Sequence, residues 1–224
     1  MATSGTSVFN PTVDDIIQEA YDRCGIESRT GYELKSGKRS LNLLLQSLQN
    51  EHFPLWKLIL DTTTVTLVTD QIGYDVAADV LDVIDVSLQH STNSIVHDTP
   101  LTRLSRAEYE SRTTKTTSGR PTQYYYDYNG GTSGVGKFFL YPAPSSTYNG
   151  DELRFYKRER IEDVGAYTNT LDIPVNALET VHSGLSYMLS IKHAPDRIPV
   201  LKPLFDEAKL KLWQEDSEKV AVRP

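Results

Sequence analysis

Cysteine is nearly missing from this chain. Cys24 is the only one in 224 residues and can close no internal disulfide, which excludes a stapled secreted scaffold. Long apolar runs are missing too: no stretch reaches the ~18 residues a membrane-crossing helix requires. The opening MATSGTSVFNP has neither the basic segment nor the apolar stretch of a secretory signal. Metal-site spacings are absent, because His52, His90, His97, His182 and His193 are scattered without HxH, HExxH or CxxC. Gly130, Gly131, Gly134 and Gly136 cluster without the lysine or following helix of a phosphate loop, and no GxSxG nucleophile exists. No catalytic, cofactor or metal residue is assigned. Positive charge is also in deficit, with 23 Lys and Arg against 30 Asp and Glu for a net -7, which disfavours tight wrapping of nucleic acid.

What is present is an ordinary complement for a folded core, 38% hydrophobic, in a chain rich in Thr and Tyr. After a small, polar arm over residues 1–11, a helix is expected with Thr12 as N-cap, Asp14 and Asp15 in its first turn and Gly25 as its stop. Val13, Ile16, Ile17, Ala20, Tyr21 and Cys24 recur every three or four residues and form one apolar stripe. Cys24 on that stripe reads as a small core residue rather than a reactive thiol. A second helix runs from about Tyr32 to Glu51 on Leu41, Leu44, Leu45 and Leu48, weakened early by Gly37 and ended by HFPLW, His52 to Trp56.

The period then changes from 3.6 to 2. Strands are expected near Thr64–Thr69, at Gly73–Val76 and at Val80–Leu88, the last with Ile84, Val86 and Leu88 on one face. Ser105 and Glu108 form a capping box that opens a short helix. TTKTTSGRP, Thr113 to Pro121, is too polar and β-branched for a helix and reads as an exposed loop. Three strands follow, Thr122–Tyr128, Lys137–Tyr141 and Asp151 to about Arg160, joined by NGGTSGVG and PAPSSTYNG. Seven of the 13 tyrosines fall between Tyr124 and Tyr156, where they suit strands and protein interfaces equally.

Helices return at Pro174 to about His193, on Ala177, Leu178, Val181, Leu185, Met188 and Leu189, and at Val200 to about Glu218, with Leu201, Leu204, Phe205, Ala208 and Leu212 inward. The order helices, strands, helices predicts an α+β fold: an antiparallel four-helix bundle from residues 12–57 and 173–218, with an inserted antiparallel β-rich lobe over 58–172 and a tail at 219–224.

Paired carboxylates are the one catalytic pattern left open. Asp82 with Asp85, and Asp151 with Glu152, sit at strand positions where an acid and a base of a glycosidase would face each other, or where carboxylates simply meet solvent. Charge is more informative. Between Arg103 and Arg160 stand ten Lys or Arg and six Asp or Glu; the remainder of the chain holds 13 and 24. This is either a mixed solvated surface or a pair of opposite-sign faces suited to stacking on partners or on copies of itself.

Four stretches together carry a resemblance. They are SLNLLLQSLQNEHFPLWKL (Ser40–Leu58), PLTRLSRAEYESRTTKTTSGRPTQYYYD (Pro100–Asp127), KFFLYPAPSSTY (Lys137–Tyr148) and IPVNALETVHSGLSYMLSIK (Ile173–Lys192). In this order they resemble the head-to-tail adaptors, also called connector or tail tubular protein A-like proteins, of short-tailed, T7-like bacteriophages. The Gly119-Arg120-Pro121 turn before a tyrosine-rich strand and the Tyr141-Pro142-Ala143-Pro144 strand end are the most specific pieces. The resemblance implies a structural virion protein, assembled in the host cytoplasm, that forms a ring of twelve subunits. The ring joins the portal protein to the tail nozzle protein, offers a docking surface for tail fibres or spikes, and lets double-stranded DNA pass without specific binding. An acidic lumen suits such a conduit, because it repels DNA. Candidate contacts to portal or neighbour are Lys115 and Arg120 in the polar loop, Tyr124 and Tyr126 on the tyrosine-rich strand, and Trp213, Val220 and Arg223 toward the C-terminus. Some adaptors act on the cell wall, but no motif here supports a peptidoglycan hydrolase. That activity and a non-viral binding module stay open as alternatives.

Overall fold

The computed structural model describes residues 9–26, 31–51, 57–61, 65–92 and 95–215. Within them lie five α-helices: α1 (Val13–Arg23), α2 (Gly31–Glu51), α3 (Arg106–Glu110), α4 (Leu178–His193) and α5 (Ile198–Glu215). The strands are β1 (Leu58–Leu60), β2 (Val65–Thr66), β3 (Gly73–Asp75), β4 (Val80–Thr92), β5 (Ile95–Pro100), β6 (Thr102–Arg103), β7 (Ser118–Gly119), β8 (Gln123–Asp127), β9 (Lys137–Tyr141), β10 (Ala143–Pro144) and β11 (Glu152–Glu159). The chain forms two compact units, a helical one from residues 1–56 and 161–224 and a sheet unit from residues 57–160.

In the helical unit, α1 begins where Thr12 and Asp15 cap each other, the Asp15 amide donating to the Thr12 hydroxyl at 3.3 Å and the Thr12 amide to the Asp15 carboxylate at 2.9 Å. Gly25 ends it in the left-handed region at φ +74°. The expected stripe of α1 is buried, and Cys24 donates its thiol to the Ser186 carbonyl at 3.2 Å. Gly37 lets α2 approach α1 closely, since a Cβ there would lie 2.7 Å from Ile17.

The antiparallel four-helix bundle is not what these helices make. In such a bundle every helix hides one stripe, whereas α4 is surrounded: α1, α2 and α5 all pack on it. It buries Thr180, Ser183, Gly184, Ser186 and Ser190 beside Leu178, Val181, Leu185 and Leu189. The small residues admit close neighbours, and the hydroxyls stay satisfied: Ser183 donates to Glu179 O and Ser186 to His182 O, each at 2.7 Å, and Ser190 to Tyr187 O at 2.8 Å. The outer helix α5 buries only Leu201 and Leu212, and Leu204, expected inward, is 50% exposed.

The sheet unit has one sheet in the order β1-β11-β4-β5, with β2 also on β11, and a second in the order β3-β9-β8-β6. Residues of both make one core, joined where Phe138 meets Phe155 edge-on at 5.0 Å. The long pairings are antiparallel, and β6 with β8 and β7 with β10 add two short parallel pairs. The expected face of Ile84, Val86 and Leu88 is also corrected. A bulge near Asp85, at φ +50°, shifts the alternation so that Val83 points inward with Val86 and Leu88, leaving Ile84 half-buried.

Candidate interaction surfaces

Alternation along β8 and β9 decides which rings face out. Tyr124, Tyr126, Phe138 and Leu140 are buried, while Tyr125, Phe139 and Tyr141 are half-buried on the other face. Tyr125 stands opposite Phe139, and Gln123 opposite Tyr141. The helix α3, opened by the Ser105–Glu108 capping box, lays Tyr109 over this face. Tyr109 stacks on Tyr125 at 5.4 Å and Tyr125 on Phe139 at 5.9 Å, with ring planes 21° and 20° apart. Cations rim the stack: Lys115 over Tyr109 at 4.9 Å, Arg112 over Tyr141 at 5.1 Å and Lys137 over Phe139 at 5.9 Å. Each is held, Lys115 by Glu110, Lys137 by Asp75 at 3.2 Å and Arg112 by Gln123 at 3.0 Å. The result is a partly buried aromatic face rimmed by three cations, two of them paired with carboxylates.

Tyr124 and Tyr126 are thus core residues rather than surface ones. Burial pushes the Tyr126 phenol up to about 12, and its oxygen has no hydrogen-bond partner. Gly136 packs against it so closely that a Cβ there would lie 2.0 Å from that oxygen.

A second surface is the β4–β5 hairpin. Its third strand, β11, ends with Glu152 opposite Gln89, so the ribbon from His90 onward runs past it. There Ile95 and Val96 are 59% and 57% exposed. The base is braced by His90, whose Nδ1 lies 2.6 Å from the Asp151 carboxylate, and by Arg120, which donates to the Thr99 hydroxyl at 2.5 Å. Asp98 accepts from Gln89 at 3.0 Å and from Arg154 at 3.3 Å.

The third is a cleft of about 840 Å³ in the helical unit, lined by Phe9, Asp15, Glu19, Val175 and Glu179 among others. Arg23 spans it, contacting Glu19 at 2.8 Å and both Glu179 oxygens at 2.9 and 3.1 Å. That guanidinium holds the Glu179 carboxyl below the usual carboxylate range against the opposing effect of burial.

The remaining candidates are dispersed. Trp213, half-buried on α5, carries Lys209 over its ring at 5.1 Å, while Val220 and Arg223 lie outside the described residues, as do His52 and the HFPLW segment. Of the carboxylates, Asp82 pairs with Arg103 at 2.9 Å and Asp151 with His90. Among the described residues no group of three or more His, Cys, Asp or Glu is placed to hold a metal ion, and no helix is long and apolar enough to cross a membrane. Sequence reading missed the outward rings and the projecting hairpin. The first was signalled by the run QYYYD facing KFFLY, the second by six residues, IVHDTP, with little to bury them.

A protein-family model described as SU10 adaptor protein matches residues 11–216, a span that runs through both units. No curated protein matches the chain.

Proposed function

The chain belongs to the SU10 adaptor protein family, and on that footing we propose that it is the head-to-tail adaptor of a short-tailed, T7-like bacteriophage. Membership of a phage adaptor family implies a structural role in the virion and assembly with other virion proteins. The finer reading is a ring of twelve copies between portal and tail nozzle, through which the genome leaves. The helical domain forms the ring wall, and the β-rich insert, with Lys115 and Arg120, faces neighbours or tail fibres. Trp213, Val220 and Arg223 reach toward the portal. The observation that carries this reading is the extent of the family match, which covers both units in one uninterrupted span. The net charge of -7 supports it, since a ring of such chains repels DNA and lets it slide.

Negative-stain imaging and mass photometry of the purified protein, with and without portal protein, test the reading. Twelvefold rings in the presence of portal are expected; a chain that stays monomeric beside assembled portal overturns it. Deleting Val220 to Pro224 should weaken attachment to heads, measured by co-sedimentation. A ring whose channel wall is dominated by Lys and Arg would overturn the repelling-conduit part.

A further inference from the structure

Among the described residues, the larger sheet of the sheet unit has an edge strand at each end. At one end stands β5, which among the described residues pairs only with β4. At the other stand β1 and β2, which among the described residues pair only with β11. Natural sheets guard such edges with lysines, prolines, bulges or a cover, because free amides and carbonyls invite another strand. Here the guards are weak. β5 has no lysine or arginine and pairs with β4 without a bulge, and its one proline, Pro100, is its last residue. It presents Ile95 and Val96 to solvent on opposite faces, in a ribbon that, among the described residues, no third strand covers beyond Gln89. Such a bare two-stranded ribbon is marginal in water by itself. β1 is Leu58, Ile59 and Leu60, three apolar residues in a row, with Ile59 37% exposed.

Strand direction determines what fits. Every pairing along β1-β11-β4-β5 is antiparallel, so β5 runs opposite to β1. A second copy displaced along the sheet without being turned over, and shifted by about six residues along the strands to bring Ile59 level with His97, therefore sets its β1 beside the first copy's β5 in the antiparallel sense. The faces match as well. Thr99 stands opposite Leu88, Leu88 opposite Leu153, and Leu153 shares its face with Lys157, the partner of Ile59. Ile95, His97 and Thr99 thus lie on the same sheet face as Ile59, and apolar side chains meet across the joint. The contact is head-to-tail and leaves an open edge at each end, which is the kind that repeats and closes into rings.

We infer that β5 of one copy pairs with the β1 edge of the next, so that the sheets of neighbouring subunits become continuous. This rests on the ring reading above and adds which surfaces meet. The test uses the full chain carrying Ile59→Cys with His97→Cys, or Ile59→Cys with Ile95→Cys, incubated with portal protein and mildly oxidised. Cys24 is buried and stays out of the reaction. At least one double variant should give a ladder of disulfide-linked multimers on a non-reducing gel. Mixing the Ile59→Cys and matching β5 single variants should give a linked dimer, and each single variant alone none. Multimers seen by mass photometry without a ladder overturn the edge pairing and leave the ring reading standing. A β5 single variant that links to itself overturns it in favour of two-fold β5–β5 pairing. Failure of the unaltered chain to multimerise overturns the ring reading itself. Val96→Lys, at an exposed position, should weaken assembly about tenfold without moving the thermal unfolding of the monomer. Unchanged assembly counts against the proposal.

Discussion

The helical and sheet units keep water out by opposite means. The sheet unit fills its interior with large rings: Phe138 lies 5.0 Å from Phe155, 5.5 Å from Tyr126 and 5.8 Å from Tyr124. The helical unit closes around a helix of small residues, where Ser183, Gly184, Ser186 and Ser190 let three neighbours press against α4. One core depends on volume and the other on closeness. The first should therefore be hurt most by removing atoms, the second by adding them.

Substitutions that move each core the wrong way probe this contrast. Phe138→Ala should have the largest effect, a loss of ~3–5 kcal/mol, read from urea titration of the near-ultraviolet tyrosine signal. Gly184→Val comes next. Its Cβ would lie 2.7 Å from Phe205 and 2.9 Å from Leu44, and overpacking of this kind costs ~1–3 kcal/mol, partly offset by the better helix propensity. Tryptophan fluorescence reads this loss through Trp213, which lies on α5 of the helical unit. Ser186→Ala should cost under ~1 kcal/mol, since the hydroxyl only adds a bond to the His182 carbonyl. A loss at Ser186 as great as at Phe138 would break the contrast.

The smallest effect should come from protonating a single ion pair, Arg23 with Glu179. Arg23 depresses the folded value of Glu179, so the pair's stability is present above the unfolded carboxyl value and lost as pH falls through the folded one. Glu179 is 65% exposed, so unfolding followed from about pH 6 to about pH 3 should show a loss near ~0.5 kcal/mol from this source. Glu179→Gln should remove that component.

Local signals were legible in the sequence where one residue type performs one task. Thr12 caps α1, Gly25 ends it, and Ser105 with Glu108 opens α3, each as its chemistry requires. The strands β8, β9 and β11 were legible from their β-favouring residues and from the glycine- and proline-rich turns between them. The helix arrangement was not, because stripe counting registers apolar residues and overlooks serine and glycine. Gly37 reads as a weakness in the second helix and Gly184 carries no reading at all, yet both mark places where neighbouring side chains press directly on a helix backbone. The outward face of β8 was hidden for another reason. With Tyr at 124, 125 and 126 in succession, a period of two separates the faces but cannot say which is inside. Along β4, the bulge near Asp85 reset the alternation, which side-chain pattern alone does not reveal.

The divided helical unit also sets an order of events. α1 and α2 are synthesised first, but the helix they pack on begins at Leu178, after the whole stretch Lys57–Arg160. At ~5–20 residues per second, a ribosome takes roughly ten seconds to travel from Glu51 to Leu178. The sheet unit, contiguous in the chain, is expected to fold within that interval. Meanwhile Val13, Ile16, Ile17, Leu41 and Leu44, all buried in the finished protein, wait without their central partner. Helices made before the sheet unit are thus the last to settle, and those seconds are when a chaperone or a sister chain meets their apolar stripe.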